Sequence, residues 1–183
     1  MVQGVRDQMI RSAIALFAER GVQGTSLADV IAHAGAPRGS IYHHFPAGKD
    51  ELVRAVLQTL AAAGPRTLAP LQGRDAAGVI DGFLDGWKRT LEASDYASGC
   101  SVLGVTVTAE DDGLRAAAGD VFGAWATELA RLLQDGGVAE PAARPLAWTL
   151  ISGAEGAVAV CRALRSMEPL EAVRAQLKAL IAR

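Results

Sequence analysis

No stretch of this sequence is apolar for the roughly 18 residues needed to cross a bilayer, although half of its residues are hydrophobic. The opening residues, Met1 to Asp7, lack the basic stretch and apolar run of a secretory signal. These absences point to a soluble, cytoplasmic protein with no membrane partner. Cysteine is scarce: Cys100 and Cys161 stand far apart, which fits neither a disulfide framework nor a clustered zinc site, so buried free thiols are expected. Catalytic motifs are missing too. There is no Gly-x-Ser-x-Gly elbow, phosphate loop or dinucleotide fingerprint, and all three histidines fall within the first 44 residues. An adjacent histidine pair plus one ten positions upstream is not metal-ligand spacing on a helix face. Neither an enzyme, a cofactor nor a metal is expected.

A strong basic excess is also lacking, since the net charge is −2. The charge is uneven, however. Residues 1–54 carry six basic against five acidic side chains, and the remainder carries twelve against fifteen. The excess of acid lies outside the first third, an asymmetry too weak to assign a nucleic-acid partner by itself.

What is present is helical periodicity. Ile10, Ile14 and Phe17 recur at helical spacing before a stop at Gly21. Ser26 with Asp29 three positions on is a helix-capping pattern. The helix it opens is short, because Ala34-Gly35-Ala36-Pro37 supplies a turn glycine and a helix-starting proline. A third helix is predicted from about Arg38 to His44, and a fourth begins near Lys49. The segment Gly64 to Gly73, with two prolines and two glycines, reads as a connection. Further apolar stripes run through Ile80 to Leu91, Leu114 to Leu132, Leu146 to Leu164 and Leu170 to Ile181. Residues 100–108 are rich in β-branched side chains, but a lone strand among helices has nothing to pair with, so a short buried helix is expected. The fold class is all-α.

Residues 26–44 combine a short helix, a tight turn at Gly35 and a second short helix. That arrangement delivers a helix into a DNA major groove. Arg38 can neutralise a phosphate or fork onto a guanine edge. Gly39 removes bulk, while Ser40, Tyr42, His43 and His44 are compact or planar hydrogen-bonding groups. Ile41 and Phe45 can anchor the helix to the core. For Tyr42 a packed position and a phosphate contact weigh equally, and for His33 packing or a surface hydrogen bond outweighs function.

The run from Thr25 to Gly35, then Gly39-Ser40-Ile41-Tyr42-His43-His44-Phe45 followed by Lys49-Asp50-Glu51-Leu52, resembles the TetR family of bacterial regulators. Gly35 to Ser40 with Phe45 to Lys49, and later Gly99-Cys100-Ser101-Val102 and Glu155-Gly156-Ala157, are similar to its LmrA/YxaF branch. The resemblance implies about nine helices: a helix-turn-helix DNA-binding domain of three over 1–48, then a ligand-binding and dimerisation domain over 49–183. It implies phosphate contacts from Thr25 and Ser26. Arg38, Gly39, Ser40, His43 and His44 would lie on or beside the recognition surface, with Tyr42 and Lys49 on the DNA backbone. Ala36-Pro37 departs from the Ser or Thr that caps this helix in many members, so a phosphate contact there is not carried over.

A reader of palindromic DNA needs two copies of itself about one DNA turn apart, so a homodimer is expected. The stripe Leu150-Gly153-Ala157-Val160, with Leu177, fits close helix approach, either as an ordinary contact within the chain or between two copies. The need for two copies favours the dimer, with the interface expected on helices at about 141–164 and 168–182. Phe83, Trp87, Phe122, Trp125 and Trp148 are candidates to line an apolar effector pocket, with Cys100 facing it. The function expected is a repressor released from a palindromic operator by a small hydrophobic or aromatic effector. An activator, or a helical sensor without DNA binding, is the alternative.

Overall fold

The structure, a computed structural model, describes residues 4–182. Among these are nine α-helices, one short 3-10 helix and no strand: α1 (Val5–Arg20), α2 (Leu27–Ala34), α3 (Ser40–His44), α4 (Lys49–Leu68), α5 (Ala76–Ala93), α6 (Ser101–Thr108), α7 (Asp112–Asp135), α8 (Glu140–Leu164) and α9 (Glu168–Ile181). None is long and apolar enough to span a membrane.

The chain divides into two compact units. One joins residues up to Ala62 with Cys100–Val121; the other joins Ala63–Gly99 with Phe122–Arg183. These units do not coincide with a division of the chain at residue 48, because α6 and the first turns of α7 pack with the N-terminal helices.

In the first unit, which we term the head, Met9, Ala13, Leu16 and Phe17 of α1 are buried with Val30, Ile41, Phe45 and Leu52. The expected start of α2 is a full capping box. Asp29 N–H donates to Ser26 Oγ at 3.1 Å, and the Asp29 carboxylate accepts from Ser26 N–H at 2.8 Å. Gly35 ends α2 in the left-handed conformation (φ 62°), which costs glycine nothing. His33 Nδ1 lies 3.0 Å from Ser12 Oγ, a structural link from α2 to α1. Segment 100–108 does form the short helix α6, with Ser101, Val102 and Val105 buried. The turn after it is tied down: Arg54 pairs with Asp111 at 3.0 Å, and Gln23 donates to the Thr108 carbonyl at 3.4 Å.

The second unit, the body, packs α5, α8 and α9 together with the C-terminal part of α7 around Ile80, Leu84, Leu91, Leu129, Leu133, Leu150, Ala154 and Leu170. One polar cluster joins α5 to α9. Arg174, with 15% of its side chain exposed, pairs with Asp81 at 3.0 Å, Asp85 at 2.8 Å and Glu171 at 2.9 Å, and Lys178 adds Asp81 at 2.7 Å. Burial pushes the Asp81 carboxyl upward, but the hydrogen bonds from Lys178 and Arg174 outweigh it and hold the group below the usual carboxylate range.

Two expectations fail here. The segment from Gly64 is not a connection, since α4 runs through Gly64-Pro65 to Leu68 before a 3-10 turn at Ala69–Leu71. Pro65 leaves the Ala61 carbonyl without its helical donor, and Gly64 is buried where a Cβ would come within 2.7 Å of Trp125 Cδ1. Glycine lets helix and indole meet. The dimer stripe also needs correction. Leu150, Ala157 and Leu177 are buried inside the protomer, and a Cβ on Gly153 would sit 3.1 Å from Val173 on α9. Gly153 is half-buried and closes a contact of α8 with α9, while Leu150, Ala157 and Leu177 have almost no surface to offer a second copy. Of the five, only Val160 is exposed.

Candidate nucleic-acid interface

The turn and helix following α2 carry most of the polar residues singled out from sequence. Ser40 N–H donates to the Pro37 carbonyl at 3.0 Å and Ser40 Oγ to the same oxygen at 2.6 Å, closing the turn. The helix therefore starts at Ser40, and Arg38 lies on the turn before it instead of in its first turn. Ile41 and Phe45 are fully buried and hold α3 to the head. The opposite side faces outward. Tyr42 is 65% exposed, which decides against a packed position. Arg38, Gly39 and His43 are exposed, and His44 is half-buried with its ring centroid 5.2 Å from that of His43. A Cβ at Gly39 would meet nothing within 4 Å, so space is open there for another molecule's backbone.

Ser26 stands exposed at the start of α2, although its hydroxyl serves the capping box, donating to Asp29 at 2.6 Å. These bonds hold the Asp29 carboxyl below its ordinary value. Thr25 leaves the candidate set. It is 1% exposed, and its hydroxyl donates to the Gly21 carbonyl at 2.9 Å, so it shapes the α1–α2 turn and cannot reach a phosphate. Lys49 is half-buried at the first position of α4, where Glu51 caps by accepting from Ala47 N–H at 2.9 Å. Neither Arg38 nor Lys49 forms an ion pair among the described residues, whereas Arg54 and Arg115 in the same unit pair with Asp111 and Asp112.

The effector candidates separate. Phe83, Trp87, Phe122 and Trp125 are partly buried against the body core, and Phe122 and Trp125 meet edge to face with centroids 5.8 Å apart. Trp148 is 38% exposed on the outer side of α8 and does not join them. Cys100 belongs to the head, where its sulfur caps α6 by accepting from Leu103 N–H at 3.4 Å. A cleft of about 520 Å³ also lies in the head, floored by Val22, Val53, Val105 and Leu114, and none of the aromatic candidates lines it.

A capped helix, a glycine turn and a short outward-facing helix thus present cations without counter-ions. Residues 9–56 match the family model for bacterial regulatory proteins of the tetR family, and residues 76–176 match that for the transcriptional regulator LmrA/YxaF-like C-terminal domain. An uncharacterised HTH-type transcriptional regulator of Mycobacterium tuberculosis is 33% identical over 188 residues, covering 98% of this chain and 95% of the relative.

The chain belongs to the TetR family.

As a member of its LmrA/YxaF-like branch it is a DNA-binding transcriptional regulator and not an enzyme. The likeness to solved TetR structures extends over nearly all of the chain. A TetR regulator from Legionella pneumophila superposes with a TM-score of 0.85, each chain covered to 98%, at 21% identity. The HTH-type transcriptional repressor KstR2 of Mycobacterium tuberculosis is 42% identical across 57 residues, 31% of this chain and 28% of that protein.

Proposed function

We propose that this TetR-family regulator is a cytoplasmic homodimeric repressor that binds a palindromic operator and is released by a small hydrophobic or aromatic effector. The observation that carries the DNA half is the outward face of α3, where Tyr42 is 65% exposed while Ile41 and Phe45 are fully buried. Ser26, Arg38, Gly39, Ser40, Tyr42, His43, His44 and Lys49 form the DNA surface in this reading. Likeness of a 57-residue stretch to a named repressor supports repression. The functional division falls at residue 48, with α4 onward serving effector and dimer apart from Lys49 at its first position.

The dimer uses the outer faces of α8 and α9. On α8, Trp148, Ser152, Gly156, Val160 and Leu164 are exposed at four-residue steps, and on α9 Ala172, Ala175, Ala179 and Leu180 are exposed. Small residues at that spacing let helices from two copies approach closely, and the large apolar ones leave water on contact. Phe83, Trp87, Phe122 and Trp125 supply the effector site. The effector acts by population shift, binding the DNA-incompetent state more tightly by about 1–3 kcal/mol.

The test is fluorescence anisotropy with DNA flanking the protein's own gene, run with and without planar aromatic compounds. Salt-sensitive binding that an aromatic compound relieves is the expected result. No affinity for any duplex at low salt sinks the DNA half. Tight effector binding that leaves operator affinity unchanged sinks the regulatory half.

A further inference from the structure

Arg6 lies in the first turn of α1, far in sequence from the helix-turn-helix, yet the fold brings it to the end of α3. Its guanidinium carbon sits 5.2 Å from the centroid of the Phe45 ring. Phe45 is the C-cap of α3, with its N–H donating to the Ile41 carbonyl at 2.7 Å, and it is fully buried. Arg6 itself is exposed and pairs with no carboxylate among the described residues, although Asp7 is its neighbour in sequence. The ring supports the cation without taking its hydrogen bonds. A guanidinium held against an aromatic ring keeps planar N–H donors suited to a phosphate, and the contact reduces the side-chain freedom lost on binding.

The length of α3 makes this position consequential. Five residues at a rise of about 1.5 Å each span roughly 7.5 Å, so α3 exposes few side chains of its own to a groove. Phosphate contacts, which fix a protein's register on a duplex, then fall largely to groups beside the helix ends. Arg38 stands on the turn before α3 and Arg6 stands at its far end.

We infer that Arg6 is a phosphate-binding residue of the DNA surface, clamping one groove wall from the C-terminal end of α3. The inference rests on the DNA-binding reading above and adds a contact from outside the helix-turn-helix. Its competitor is a purely structural role in which the Arg6 stem shields Phe45 from water. Arg6→Met keeps an apolar stem over the ring and removes the charge, while Arg6→Lys keeps the charge.

The experiment measures affinity of the full chain for the DNA flanking its own gene and for an unrelated duplex, across a salt series. Arg6→Met is expected to weaken binding to both duplexes by about tenfold at low salt. The slope of log K against log salt is expected to fall by about 0.9 for each phosphate released. Arg6→Lys is expected to retain the wild-type slope. Arg6→Met protein that melts like wild type and binds with an unchanged slope overturns the inference. So does an Arg6→Lys protein that is folded but loses the slope as fully as Arg6→Met. If wild-type protein itself shows no salt-dependent affinity for either duplex, the DNA reading falls and this contact falls with it.

Discussion

In the body, Arg174 is held by three carboxylates and Lys178 shares one of them. Around α3 of the head, Arg6, Arg38 and Lys49 meet no carboxylate among the described residues, although acids lie close in sequence. The same residue types therefore serve different ends. A cation enclosed by its own chain fixes one helix against another and is unavailable to anything outside. A cation left open does little for the fold, since exposed pairs are worth only about 0–1 kcal/mol in any case, but it can displace counter-ions from a polyanion. Arg66, Arg74 and Arg89 of the body also stand outside the ion pairs among the described residues, so an unpaired cation points to a nucleic-acid surface only beside an outward-facing helix such as α3.

The largest test of that contrast is Arg174→Ala. Removing a mostly buried cation leaves Asp81, Asp85 and Glu171 crowded on one face, and a loss of about 2–4 kcal/mol is expected in urea unfolding. A loss near zero would show that the body does not depend on its paired charges. Arg38→Ala is the counterpart in the head: unfolding should be unchanged, while operator affinity falls by about 1–3 kcal/mol and sequence preference relaxes. An Arg38→Ala protein that unfolds early but binds DNA normally would reverse the assignment. Gly64→Ala comes next. Alanine gains up to about 1 kcal/mol of helix propensity, but its Cβ meets the Trp125 indole at 2.7 Å, and overpacking costs about 1–3 kcal/mol. Net destabilisation with an altered tryptophan emission is expected.

The smallest effect is on pH dependence. The Asp81 carboxyl titrates below its ordinary value when folded, so its contribution is complete above the unfolded value and is lost as pH falls through the lowered one. Acid unfolding of wild type should therefore show a component in that window that Asp81→Asn lacks. Identical acid profiles for the two proteins would remove the cluster from the account of acid stability.

Much of the head was legible because local chemistry determines it. The Ser26–Asp29 cap, Gly35 and the pair Ile41 and Phe45 each act within a few residues, and each stands where the sequence puts it. The course of α4 was not legible, because Gly64-Pro65 usually ends a helix, and the close approach of Gly64 to Trp125 is a tertiary contact that no local pattern announces. The faces of α8 were misread for a related reason. Leu150, Gly153 and Ala157 form the conspicuous stripe, but a stripe marks burial and does not say whether the neighbour is α9 or another molecule. The face left outside is rich in Ser, Gly and Ala, which periodicity hardly registers. Arg6 was missed because its link to α3 runs through Phe45, and no local spacing connects residues so far apart.

The proline within α4 has a mechanical consequence. Pro65 deprives the Ala61 carbonyl of its hydrogen bond inside a helix of 20 residues. A rod with one missing rung is most compliant at that rung, so bending strain entering α4 from either end collects there instead of spreading along the helix. Stiffness elsewhere then costs the molecule no freedom, because one weak joint suffices for the whole rod to flex.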